Sequence, residues 1–175
     1  MISPEFLLTA LVVVLVPGTG VIYTLATGLA LGRQLSVFAA FGCTLGIVPH
    51  MTAAIFGLAA LLHTSALLFQ VVKFAGVLFL LWMAWQMIRQ QGPLTFDKSR
   101  EPASGTAIAV RGALINILNP KLSLFFLAFL PQFLSADTSS ATFEMIFLGL
   151  IFMAMTFFVF VLYGLFAATL SKYIL

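Results

Sequence analysis

Charge is what this chain has least of. Of its 175 residues, 7% are Asp, Glu, Lys or Arg, while 62% are hydrophobic; a soluble domain carries roughly 25% charged residues. With a mean hydropathy of +1.18, this composition exceeds what a soluble core requires and points to an all-α integral membrane protein lying in the lipid bilayer. Cysteine is almost absent. Cys43 stands alone inside an apolar stretch, which excludes an intrachain disulfide. The basic residues are few and scattered, and no basic patch interleaved with aromatics accompanies them, so the net charge of +3 does not indicate a nucleic-acid partner. No His/Cys/carboxylate cluster has metal-ligand spacing. No serine–histidine or paired-carboxylate arrangement supports catalysis. The expectation is therefore a non-enzyme with no catalytic residues, no metal and no cofactor. A cleavable leader is not expected either: Glu5 precedes the apolar run, no Lys or Arg does, and no A-x-A site follows.

Long apolar runs are what is present. A span needs about 20 predominantly apolar residues, and five segments qualify: 6–31, 36–62, 66–88, 112–134 and 143–170. Pro17-Gly18-Thr19-Gly20 interrupts the first, and Asn119-Pro120-Lys121 interrupts the fourth. Proline removes a backbone donor and clashes with the preceding turn. In hydrocarbon the freed groups need protein or a wet cavity as partner. Paired breaks in corresponding spans point to a midplane transporter site. The hydrophilic loop 91–105 separates a three-span repeat, 1–90, from an incomplete second one, 106–175. The arrangement reads as 3+2 spans of an expected 3+3 inverted repeat. Arg33, Arg89, Lys98, Arg100, Arg111 and Lys172 fall on one side of the membrane, and Glu5, Asp137 and Glu144 on the other. The positive-inside rule then puts the N-terminus outside and the C-terminus of this chain in the cytoplasm.

Polar residues inside the spans are the candidate site. Gly42, Gly46, His50, Ala53 and Gly57 fall within about 80° of arc on one helical face, which lets another helix approach closely. His50 then faces protein, either bonding a backbone carbonyl or handling substrate or protons. His63 sits at the span end and reads as interfacial. Gln70, Lys73 and Gly76 share a face. Lys73 lies roughly 10 Å deep; it either snorkels to the outer surface or meets a substrate carboxylate or broken-helix carbonyls. Asn116, Asn119 and Ser123 share a face only if the fourth helix is continuous, and a break at Pro120 voids that geometry. Asn119 could cap a half-helix. The N-terminal ends after Pro17-Gly18 and Asn119-Pro120 suit an anionic group, the alternative being two hinges without ligand. The substrate-binding candidates are Pro17, Gly18, Thr19, Gly20, Tyr23, His50, Lys73, Asn116, Asn119, Pro120 and Lys121.

The stretches VPGTGVIYTLATGLALGRQ, the glycine-rich second span ending in His50, VVKFAGVLFLLWMAWQMIR and NILNPKLSLFFLAFLPQF, in this order, resemble the LysE/RhtB family of bacterial inner-membrane amino-acid exporters. The resemblance implies export of an amino acid or close derivative (homoserine, threonine, lysine or homoserine-lactone type), driven by the proton motive force, and a homo-oligomer is compatible with it. Pro17 and Gly18 correspond to the family's proline-glycine-proline break, and Asn119 and Pro120 to its second-half motif. Two features depart from the family pattern. Thr19 and Gly20 stand where many members carry a second proline and then Asn or Asp, and the chain ends at Leu175 where a sixth span is usual. The alternative reading is a non-transporting truncated paralogue or a membrane assembly subunit. A metal exporter is disfavoured, because no Asp or Glu lies within the apolar core of any span.

Overall fold

The computed structural model describes residues 2–62, 70–71, 74–75, 77–78, 81–82, 85, 104–135 and 141–174. His63, Lys73, Gly76, Asp137, the loop as far as residue 103 and the bounds of the third span lie outside them. Every regular element among the described residues is helical: α1 (Pro4–Leu15), α2 (Thr19–Leu31), α3 (Arg33–Leu45), α4 (Val48–Leu62), α5 (Gly105–Ile117), α6 (Pro120–Leu124) and α7 (Ala141–Ile174). Arg33–Gly57, taken across the turn at Gly46–Ile47, and Ala141–Ser171 are each long and apolar enough to cross a membrane. The broken pairs α1–α2 and Gly105–Ile117 with Pro120–Phe133 bring the number of such spans to four if each pair counts as one. Together these match the first, second, fourth and fifth stretches read from the sequence.

The helix ends follow from local chemistry. Ser3 caps α1 by accepting from the Phe6 amide at 3.1 Å, with Pro4 and Glu5 in the first turn. Pro17 disfavours helical backbone at the residue before it. Val16 is accordingly extended, at φ −61°, ψ 120°, and α1 and α2 meet at a bend of 54°. Gly32 both ends α2 and starts α3 at φ 87°, a backbone shape that favours glycine. α5 begins at Gly105, well before the apolar run at 112, because Ser104 accepts from the Ala107 amide at 3.2 Å. Arg111 therefore lies within the helix, exposed, and not in a loop.

The second span is not one uninterrupted helix. Pro49 has no N–H to give the Leu45 carbonyl, and its ring crowds that carbonyl. α3 stops at Leu45, and Ile47 bonds back to Thr44 at 3.1 Å. This turn shifts the helical phase. Gly42, Gly46 and His50 are buried as the small-residue face requires, but Ala53 is exposed and Ala54 is buried in its place.

The chain forms two compact units. The first comprises Met1–Val48, Leu94–Asn119 and Ile151–Leu175. Its helices approach through small residues, the usual way membrane helices pack closely. A methyl group added at Gly42 would collide with the Ala109 backbone, and one at Gly46 would lie 2.6 Å from the Ala113 carbonyl. α7 is fixed along α2: Gly164 packs on Thr24 and Ser36, and the Ser171 hydroxyl donates to the Leu29 carbonyl at 2.8 Å. Arg33 donates to Thr169 at 3.1 Å, which brings the start of α3 beside the end of α7. The hydroxyls of Thr24, Thr27 and Thr44 turn back onto their own helices, to the Gly20, Tyr23 and Ala40 carbonyls, which satisfies them without water.

The second unit comprises Pro49–Pro93 and Pro120–Leu150. Its core holds Phe125, Phe126, Ala128, Leu130 and Met145. After α6 the backbone widens into a π-turn, Phe125–Phe129, and then tightens into a 3₁₀ turn, Leu130–Phe133. Pro131 explains the change: it cannot donate to the Leu127 carbonyl. The Ala128 carbonyl is taken by the Gln132 side chain at 2.6 Å. At the far end, Glu144 accepts from both the amide and the hydroxyl of Ser135.

Candidate functional site

The first unit brings the start of α2, just after the first break, against the end of α5, just before Asn119-Pro120. A Cβ added at Gly20 would lie 2.6 Å from Asn116 Oδ1 and 3.0 Å from the ring of Phe160. Glycine is therefore required here by close approach. Asn116 is 1% exposed, and both ends of its carboxamide are engaged. Its Nδ2 donates to the Cys43 carbonyl at 2.7 Å, and its Oδ1 accepts from Asn119 Nδ2 at 3.2 Å.

These bonds follow from the breaks. In a continuous helix the Cys43 carbonyl would take the Ile47 amide, but that amide turns back to Thr44. Asn116 fills the place. Pro120 similarly leaves the Asn116 carbonyl without its helical donor, and the Asn119 amide supplies one at 3.0 Å. The Leu15 carbonyl, freed by the first break, accepts from the Tyr163 hydroxyl at 3.1 Å. The Gly20 carbonyl receives the Thr24 hydroxyl at 2.9 Å and the Cys43 thiol at 3.8 Å. Around Asn116 the outcome is a buried cluster of backbone carbonyls and carboxamides satisfied by neighbouring helices, whereas the Leu15–Tyr163 bond is exposed.

The remaining candidates fall as follows. Gly18 is buried, with extended backbone, as the residue before α2, while Pro17 and Thr19 are exposed. Tyr23 is half-buried; its hydroxyl donates to the Ile108 carbonyl at 2.9 Å and its ring lies against Gly112. In this structure it ties α2 to α5. In the second unit His50 is buried and its Nδ1 lies 3.0 Å from the Ser123 hydroxyl. Lys121 is buried on the same element as Ser123, and Pro120 is exposed. Ser123 lies on the far side of the break from Asn116 and Asn119 in sequence, and its recorded partner is His50. Among the described residues no group of three or more His, Cys, Asp or Glu could hold a metal ion.

Cys43, Thr24, Phe160 and Tyr163 complete the region without having stood out in the sequence. Thr24 had a signal, one turn after Gly20. The Cys43 contribution comes largely from its backbone and has none.

The chain matches 36% of residues over 129 positions with an uncharacterized membrane protein of Vibrio cholerae, covering 74% of this chain and 63% of that protein. It is 35% identical over 138 residues to a leucine efflux protein of Klebsiella pneumoniae, covering 77% of this chain and 64% of the relative. It is 31% identical over 129 residues to a homoserine/homoserine lactone efflux protein of Salmonella typhimurium, covering 74% and 63%. The chain thus matches slightly under two thirds of the length of these relatives. No solved structure matches it. The family model for LysE type translocators aligns with residues 11–175, a stretch that includes both proline breaks, the His50 segment and the whole of α7. The chain belongs to the LysE-type translocator family.

Proposed function

We propose that this membrane protein is a secondary transporter, not an enzyme, that exports a small neutral amino acid or close derivative across the bacterial inner membrane, driven by the proton motive force. The observation that carries this reading is the seating of Gly20, just after the first break, on Asn116, just before the second. A free amino acid presents an ammonium and a carboxylate. Carbonyls released by broken helices suit the ammonium, while carboxamide N–H groups and the amides opening α2 suit the carboxylate. No Asp or Glu is buried among the described residues, which favours a neutral over a cationic side chain. The leucine and homoserine efflux relatives support the same class.

The proposed contacts are Gly18, Thr19, Gly20, Asn116 and Asn119, with Pro17 and Pro120 setting the breaks. Tyr23, His50, Lys73 and Lys121 are proposed to serve substrate or proton handling. The proposed topology keeps the N-terminus outside and the C-terminus of this chain inside, with a three-span repeat and the first two spans of its inverted counterpart separated by the loop at 91–105. Proteoliposomes loaded with labelled leucine, homoserine, threonine or lysine test the proposal. Efflux of at least one neutral amino acid, accelerated by an inward proton gradient over empty liposomes, is expected. No efflux of any of the four overturns it.

A further inference from the structure

His50 is buried on α4, and the group at its Nδ1 is the Ser123 hydroxyl, 3.0 Å away on α6 within the same unit. This partner differs in kind from a backbone carbonyl. A carbonyl only accepts, so it would hold a neutral imidazole in one tautomer. A hydroxyl both donates and accepts, so it bonds Nδ1 whether that atom lacks a proton or carries one. A proton added at Nδ1 turns the bond around, the ring N–H now donating to Oγ. A proton added at Nε2 leaves the bond as it was. In both cases one N–H bond forms and Ser123 keeps its own proton. The contact therefore survives a change of charge with no more than a rotation of the hydroxyl. The walls nearby are apolar: Met51, the next residue on α4, packs on Gly149 of α7, as does Phe126, and Phe125 and Phe126 are fully buried. Among the described residues of the second unit the titratable groups are His50, Lys121 and Glu144. Glu144 is engaged by Ser135 at an exposed end. Lys121 is buried on α6 two positions before Ser123, which at about 100° per residue puts the two on nearly opposite faces. Lys73 lies outside the described residues.

We propose that His50 carries the coupling proton, and that Ser123 is the positioning residue that keeps its ring bonded in both charge states. The proposal rests on the transport reading and narrows proton handling from Tyr23, His50, Lys73 and Lys121 to His50 alone. Histidine is the side chain that ordinarily changes charge near neutral pH, and this one has a partner that fits either charge.

The full chain in proteoliposomes gives two readouts with labelled leucine or homoserine: counterflow exchange at a single pH, and the acceleration of efflux by an inward proton gradient. His50→Gln still offers Ser123 a hydrogen bond but does not titrate. It is expected to keep counterflow at the wild-type rate and to lose the acceleration. The bond to a charged ring is the stronger one, so Ser123→Ala is expected to move the pH profile of the acceleration to lower pH by about one unit. Ser123→Thr, which keeps the hydroxyl, restores the profile. If His50→Gln fails to insert, the ring itself decides. In His63→Gln protein His50 is the remaining histidine, and its ring-nitrogen NMR signals are expected to change protonation state between about pH 5 and 8. A ring that keeps one charge state across that range overturns the proposal. So does His50→Gln that responds to the gradient as wild type does. So does His50→Gln that inserts but loses counterflow together with the acceleration, which substrate binding or a purely structural role would produce. A wild-type protein without exchange removes the transport reading and this proposal with it, whereas wild-type exchange with an unaltered gradient response in His50→Gln removes this proposal alone.

Discussion

Asn116 donates its side-chain N–H to the carbonyl of Cys43 at 2.7 Å, and that carbonyl is available because the Ile47 amide has turned back to Thr44. A polar residue in one span thus repairs the backbone of another, 73 positions away. The repair and the candidate site are the same atoms, so the effect of a substitution there on transport must be measured against its effect on the amount of folded protein.

The α3–α5 crossing is a packing requirement alone. Gly42→Leu drives a side chain into the Ala109 backbone and is expected to cost about 1–3 kcal/mol or more, as overpacking does. Gly57→Ala places its Cβ at an ordinary 3.5 Å from Leu127 and should be close to neutral. Unfolding midpoints of the two purified variants in one detergent check the contrast; equal midpoints would remove the crossing as a determinant of stability.

Tyr163→Phe withdraws the donor from the Leu15 carbonyl. A loss of about 0.6 kcal/mol is expected, the usual size for a hydrogen bond between membrane helices. Faster hydrogen exchange should be confined to the amides around Val16–Gly18. Exchange spread evenly over α7 would mean that the bond does not hold the break.

Pro120→Ala restores a donor for the Asn116 carbonyl and lets the helix run on. If the break belongs to the proposed substrate site, efflux falls by more than the amount of inserted protein does. Parallel loss of both would make Pro120 a folding residue.

Much of this was legible in the sequence, for physical reasons. Pro17 and Pro120 act on their own turns, so the breaks can be read from single residues, and the apolar runs mark the spans. Pro49 is equally local, yet the glycine spacing across 42–57 suggests an unbroken face, and a phase shift at Gly46–Ile47 moves Ala53 out of it. The partners of His50 and Asn116 were not legible. Ser123 and the Cys43 carbonyl are brought in by tertiary packing, and a freed carbonyl leaves no mark on residue type.

The most direct measurement is counterflow exchange of labelled leucine or homoserine in proteoliposomes, comparing Gly20→Ala with Gly57→Ala beside wild type. If the site lies where Gly20 meets Asn116, the methyl group 2.6 Å from Oδ1 reduces exchange by roughly tenfold, as a loss near 1.4 kcal/mol would. Exchange is normalised to the amount of folded protein for both variants, and Gly57→Ala should exchange as wild type does. Exchange by Gly20→Ala at the wild-type rate would contradict the account and move the site away from the two breaks.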